Sequence, residues 1–90
     1  MTVLMLKYST PVQPMSTVVT MRTGAVVRCV GVQRAGEVCL WAEVPQVRDG
    51  QSEGREFVTV GTGQEVLDNW IYVGTAFDGA FVWHVYQVTA

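Results

Sequence analysis

The dipeptide Asp78-Gly79 sits between two runs, residues 70–77 and 80–87, in which β-branched and aromatic side chains follow one another with few polar breaks. Flanked this way, Asp-Gly is the strongest short-range signal for a β-hairpin, because glycine accepts the positive φ that a two-residue turn demands. Alternation along the strands puts Ile71, Val73, Thr75, Phe77, Val82, His84 and Tyr86 on one face. Trp70, Tyr72, Ala76, Phe81, Trp83 and Val85 share the other. Both faces are apolar. A strand pair with one face in water does not read like this, so the hairpin is expected to be central in its sheet or covered by another chain. The same register sets Gly74 opposite Trp83, where the missing side chain leaves room for an indole.

A second hairpin is expected ahead of it, from residues 25–33 and 38–44 around Arg34-Ala35-Gly36-Glu37. Two- and four-residue loops give the same register here. It opposes Arg34 to Glu37 and Arg28 to Glu43, two opposite-charge cross-strand pairs. It also groups Val27, Cys29, Gly31, Gln33, Val38, Leu40, Ala42 and Val44 on one face, with Val30, Val32, Cys39 and Trp41 on the other. Cys29 and Cys39 would then point apart, which excludes a disulfide between them.

Residues 3–8 read as a first strand, stopped by Ser9-Thr10-Pro11 and by Pro14. Residues 16–21 form a second, and residues 56–60 a further strand running into Gly61-Thr62-Gly63. The polar stretch from Pro45 to Arg55 is expected to be an exposed loop. Thr62 and Glu65 have capping-box spacing, predicting one helical turn through about Asn69. Valine is the commonest residue, and its stiff χ1 favours pleated surfaces over helices. The expected fold is all-β: a small twisted antiparallel sheet, or a partly open barrel or sandwich, of about five to seven strands with one short helical turn. The 90 residues form a single domain, 1–90.

With 49% hydrophobic and 16% charged residues, the chain can build a core and is not intrinsically disordered. A chain this short buries only about 60–65% of its unfolded surface, so an oligomer interface would help it, and a homo-oligomer is expected. Net charge is −2, and the six basic residues (Lys7, Arg22, Arg28, Arg34, Arg48, Arg55) are scattered rather than striped. That argues against a duplex nucleic-acid binder, which needs a basic face to displace counterions. The N-terminal apolar stretch is too short for a membrane span and lacks a basic region before it, so a cytoplasmic protein with reduced thiols is expected.

Enzyme chemistry finds little support. There is no nucleophile elbow, and Cys29 and Cys39 lack the company of ligands at metal spacing. Asp68, Asp78, Asp49, Glu53 and Glu56 read as solvated or turn-forming, so no catalytic residue, metal or cofactor is assigned.

Several residues remain as ligand-binding candidates. His84, the single histidine, reads first as a buried ring bonded to backbone or hydroxyl, and second as a hydrogen-bonding group for a ligand. Gly61, Thr62 and Gly63 could offer N–H donors to a phosphate at a helix start, although no P-loop ending follows. Trp41 with Arg28 and Arg34 could stack a base beside cationic groups, the plainer alternative being a second core face. Gln33 needs a partner for its amide if buried, and Trp83 offers a second stacking surface.

Taken together, Val30-Gly-Val-Gln33, Cys39-Leu-Trp-Ala42, Val60-Gly-Thr-Gly63, Tyr72-Val-Gly-Thr75 and Phe81-Val-Trp-His-Val-Tyr86 resemble, in the same order, a family of small uncharacterised phage and prophage proteins. The resemblance spans residues 26–87. A departure lies at Arg28-Cys29, where a histidine is commoner in the family. No function comes with the likeness, only a phage context in which small proteins serve as virion components, regulators or inhibitors of host defence.

The expectation is therefore a non-catalytic, oligomeric binding protein in the cytoplasm of an infected host. In its most concrete form it sequesters a small nucleotide immune signal, with Trp41 or Trp83 stacking and the arginines and Gly61–Gly63 turn holding phosphate. The alternatives are a virion structural subunit, for capsid decoration or tail association, and a direct protein inhibitor of a host enzyme acting through the acidic loop of residues 49–56.

Overall fold

A computed structural model describes residues 2–46 and 50–88. Seven strands appear: β1 Val3–Ser9, β2 Ser16–Arg22, β3 Val26–Arg34, β4 Glu37–Pro45, β5 Ser52–Gly61, β6 Ile71–Asp78 and β7 Phe81–Gln87. They form two antiparallel sheets, β1-β4-β3 and β2-β5-β7-β6. The all-β expectation holds, as an open sandwich rather than a closed barrel. Its Cα radius of gyration is 13.3 Å, slightly above the ~12 Å of a compact domain this long, as suits a flat two-layer body.

The core follows from alternation. Val38, Leu40, Ala42 and Val44 on β4 point inward, and they meet Val19 and Met21 of β2, Phe57 of β5 and Val85 of β7. On one side the sheets are joined edge to edge where β3 meets β6. A Cβ on Gly74 would come within 2.7 Å of Val30 Cγ2, so the seam closes only because residue 74 has no side chain. On the other side, β1 and β2 stand apart.

The β3–β4 turn lies where expected, closing at Arg34–Glu37. The register beyond it does not. Ala35 keeps a negative φ while Gly36 takes +75°, a combination whose twist splays the strands. The ladder takes up the mismatch with a bulge at Gln33, and a second follows at Arg28. Each bulge adds one residue and so reverses the face that follows it. Val30 and Val32 consequently pair with Leu40 and Val38 and join the core, contrary to the unbroken register. Cys29 pairs with Trp41 and Gly31 with Cys39, which places both cysteines on the same outer face; both thiols are free.

The last hairpin, in contrast, turns later than expected. Asp78 pairs with Phe81, and the turn residues are Gly79, at φ +59°, and Ala80. That moves the register by two, which preserves the faces, but it sets Gly74 against Val85 and not Trp83. A bulge at Val73 then swings Tyr72 to the side of Thr75 and His84. Of the pair, β7 is central while β6 is an edge, with Phe77 exposed outward.

Two further expectations are corrected. No helical turn follows Gly63 among the described residues. Gly63 has φ +93°, and Gln64 folds its side chain back to accept from the Gly61 N–H. The Thr62 hydroxyl is hydrogen-bonded to His84 Nε2 rather than capping a helix. The polar loop is shorter than expected, since β5 begins at Ser52 and pairs with β2 from Arg22 onward. Asp49 and Arg48, part of that loop, lie outside the described residues. No helix is long and apolar enough to cross a membrane among the described residues.

Candidate functional site

The expected ligand residues fall into three places. Arg28, Gln33 and Trp41 come together on the outer face of the three-stranded sheet. There the Trp41 ring lies over Gly31, whose added Cβ would meet it at 3.1 Å. Trp41 is half-buried and stands outside the core cluster. Beside it on β1 is Lys7, whose Nζ donates to Gln33 Oε1 at 2.6 Å. This reaches right across β4. Gln33, expected on the core face, is therefore exposed and bonded to an ammonium group. On the opposite flank, Arg28 Nε donates to Glu43 Oε1 at 2.5 Å. The ion pair survives the register shift because bulged Arg28 reaches it from out of line. At 57% side-chain exposure for Arg28, such a pair stabilises by well under ~1 kcal/mol. Its cation remains accessible. Arg34 lies across from Glu37 at the turn, while the Glu37 carboxylate lies 3.7 Å from Cys39 Sγ.

Cys39 is fully buried on this face. Burial, then the neighbouring Glu37 carboxylate, pushes its thiol pKa up. The protonated thiol is favoured on folding, so its stabilising effect is present at neutral pH and is lost only as pH climbs through the raised value. Native protein is expected to take one iodoacetamide adduct rapidly, at exposed Cys29, and a second only in denaturant. Mass spectrometry before and after unfolding checks this. Rapid double labelling of the native chain would contradict it.

The second group lies on the outer face of the four-stranded sheet. His84 Nε2 bonds Thr62 Oγ1 at 2.8 Å, and its Nδ1 bonds Thr75 Oγ1 at 3.0 Å. Thr75 in turn bonds the Tyr72 hydroxyl at 2.5 Å. Tyr86 packs edge-on against Tyr72, ring centroids 5.6 Å apart, and Trp70 tilts against Tyr86 at 6.3 Å. Both ring nitrogens of His84 are thus satisfied by hydroxyl groups. The Gly61 N–H is taken by Gln64 Oε1, and no helix starts at Thr62 among the described residues, so the cradle expected at Gly61, Thr62 and Gly63 has one donor already occupied and no helix dipole behind it. What remains is an aromatic surface of Trp70, Tyr72 and Tyr86 around His84.

Trp83 belongs to neither face. It packs against the core between the sheets, with Phe81 stacked on it at 5.6 Å. Its indole N–H donates to Asp78 Oδ2 at 3.3 Å, and the Gly36 N–H donates to the same oxygen at 2.7 Å. Asp78, read from sequence as turn-forming, therefore clasps the two hairpin ends together. Asp78→Ala is expected to cost about 1–3 kcal/mol, because it strands two half-buried donors. Asp78→Asn, which keeps an acceptor, should cost less in denaturant melts.

Sequence reasoning placed Thr75 on the face of His84 but missed Lys7, Tyr72 and the clasping role of Asp78. Each acts across a pairing or a bulge that alternation alone does not reveal.

The family model described as Domain of unknown function (DUF7352) matches residues 1–90. No curated protein and no solved structure matches the chain.

Proposed function

Since the chain belongs to this family, whose function is unknown, we propose a role from the site itself: a non-catalytic protein that binds a small nucleotide-class ligand on the outer face of the three-stranded sheet. The observation that carries the reading is the position of Trp41, outside the core and flanked by Lys7 on one strand and Arg28 on another. A flat indole suits a base, and a cation on either side suits its phosphates. Arg34 lies at the far end of the same hairpin and Gln33 offers an amide to a base edge. The likeness of the sequence to phage proteins favours a more specific version, an inhibitor that sequesters a nucleotide signal of host defence in the cytoplasm of the infected cell.

Calorimetry against a panel of cyclic and linear nucleotides tests the reading. Trp41→Ala is expected to weaken binding by about ten- to a hundredfold, the value of one base–aromatic stack. It should cost less stability than the ~3–5 kcal/mol of a core aromatic. Arg28→Ala should lower affinity and flatten its salt dependence, with little change in melting. If no nucleotide binds or shifts the melting temperature, the proposal fails.

A second reading, a virion structural subunit, is favoured by the exposed aromatic residues Phe77 and Phe81 at the tip of the last hairpin. Stoichiometric recovery of the protein in purified virions would support it over the first.

A further inference from the structure

Strand β1 carries apolar side chains into solvent from both of its faces. Val3 and Met5 point outward with 51% and 55% exposure, while Leu4 and Leu6 point inward yet keep 48% and 39%. One of its edges pairs with β4 and the other is the free edge of the sheet. On the inward side an open groove of about 540 Å³ runs between β1 and β2. Leu4, Leu6 and Tyr8 form one bank, and Thr20 and Met21 the other. A flat apolar edge of this kind is what monomeric proteins avoid, through lysines, prolines, bulges or a covering element. Here Lys7 is the strand's single charge, and the two bulges of the sheet lie on the far strand, β3.

We propose that β1 pairs antiparallel with β1 of a second copy, about a two-fold axis through Leu6, fusing two three-stranded sheets into one of six strands. The choice of occupant rests on geometry. A helix or flat surface laid against the sheet would cover one face of β1, whereas an added strand that continues its own sheet covers both. The strand is also self-complementary. Leu6 is the middle of its seven residues, so an axis there pairs the full length: Val3 with Ser9, Leu4 with Tyr8, Met5 with Lys7. Inward residues stay with inward residues, as the two-residue period requires. Lys7 never meets Lys7, so the one charge on the strand does not oppose the pairing. The inward side chains of the added strand extend the wall over the mouth of the groove above β2. The nucleotide reading shares Lys7 with this pairing but is tested by different measurements, on Trp41 and Arg28.

Sedimentation of the full chain over a concentration series tests it. Wild type is expected to associate to twice the 9.9 kDa chain mass. Met5→Lys opposes two ammonium groups at each of two symmetric positions and should raise the dissociation constant by about tenfold. Met5 is more than half exposed, so folding should be spared, which a melting curve checks. Adding Lys7→Glu to Met5→Lys converts both contacts to opposite charges and should restore the dimer. A chain that stays monomeric throughout, or a dimer indifferent to Met5→Lys, overturns the proposal. So does failure of the charge swap to rescue a folded Met5→Lys variant. If Met5→Lys does not fold, Met5→Glu, which places a carboxylate against Lys7, must tighten the dimer or the proposal fails.

Discussion

Gly74→Val is expected to abolish the native fold, or to leave a protein that melts far below wild type. An alanine Cβ at this position would already sit 2.7 Å from Val30 Cγ2 and 3.0 Å from Val30 Cβ. Neither atom can swing away, because valine is branched at Cβ and its χ1 is held by the strand. The collision can be relieved only by parting β3 from β6, the seam that joins the two sheets. Overpacking of this kind costs about 1–3 kcal/mol for a single extra methyl, and more for a branched side chain. Domains are stable by only ~5–15 kcal/mol, and one this small is expected at the low end. Gly74→Ala should therefore lower the denaturant midpoint clearly, and Gly74→Val should remove the cooperative transition. A double-mutant cycle identifies the cause. Val30→Ala removes Cγ2, so Gly74→Ala should cost less in that background than alone. Equal costs in both backgrounds would show that Val30 is not what the new methyl strikes.

Phe57→Ala should be nearly as damaging for the opposite reason. Phe57 is fully buried and sits on β5, between Thr17 of β2 and Gln87 of β7, facing the residues of β4 across the sandwich. Its loss removes the largest fully buried side chain and leaves a cavity that two rigid sheets cannot collapse to fill. Such truncations cost about 3–5 kcal/mol. Phe57→Leu, closer in volume, should cost roughly 1–1.5 kcal/mol. Guanidinium unfolding measures both, with the midpoint falling and the slope unchanged. Equal effects of the two substitutions would mean that the site relaxes freely and that the core is looser than its burial implies.

Much of this was legible without coordinates. Valine content and turn chemistry are local properties, so they determined an all-β chain and the turn at Ala35-Gly36, while the turn expected at Asp78-Gly79 falls one residue later, at Gly79-Ala80. Alternation correctly assigned β4, whose Val38, Leu40, Ala42 and Val44 do line the core. It failed on β3. A ladder without bulges is the only one a two-residue period can describe, and bulges at Gln33 and Arg28 each reverse the faces beyond them. One consequence reaches the candidate site: Trp41 lost its expected neighbours Val30 and Val32 to the core and gained Cys29, Lys7 and Gly31. The helical turn at Thr62 failed for a different reason. Its hydroxyl had a competing partner, His84, 22 residues away in sequence, that no local spacing could disclose.

The apolar hairpin around Asp78-Gly79 shows where the division lies. Its sequence alone determined the hairpin and its two apolar faces, because backbone preference and side-chain polarity act over a few residues. Only the tertiary structure decided that β7 is central and β6 an edge, that Gly74 faces Val30 and not an indole, and that Asp78 ties Trp83 to Gly36. Those outcomes depend on which strands meet across the sandwich and where a bulge absorbs the twist, and contacts between distant segments set both.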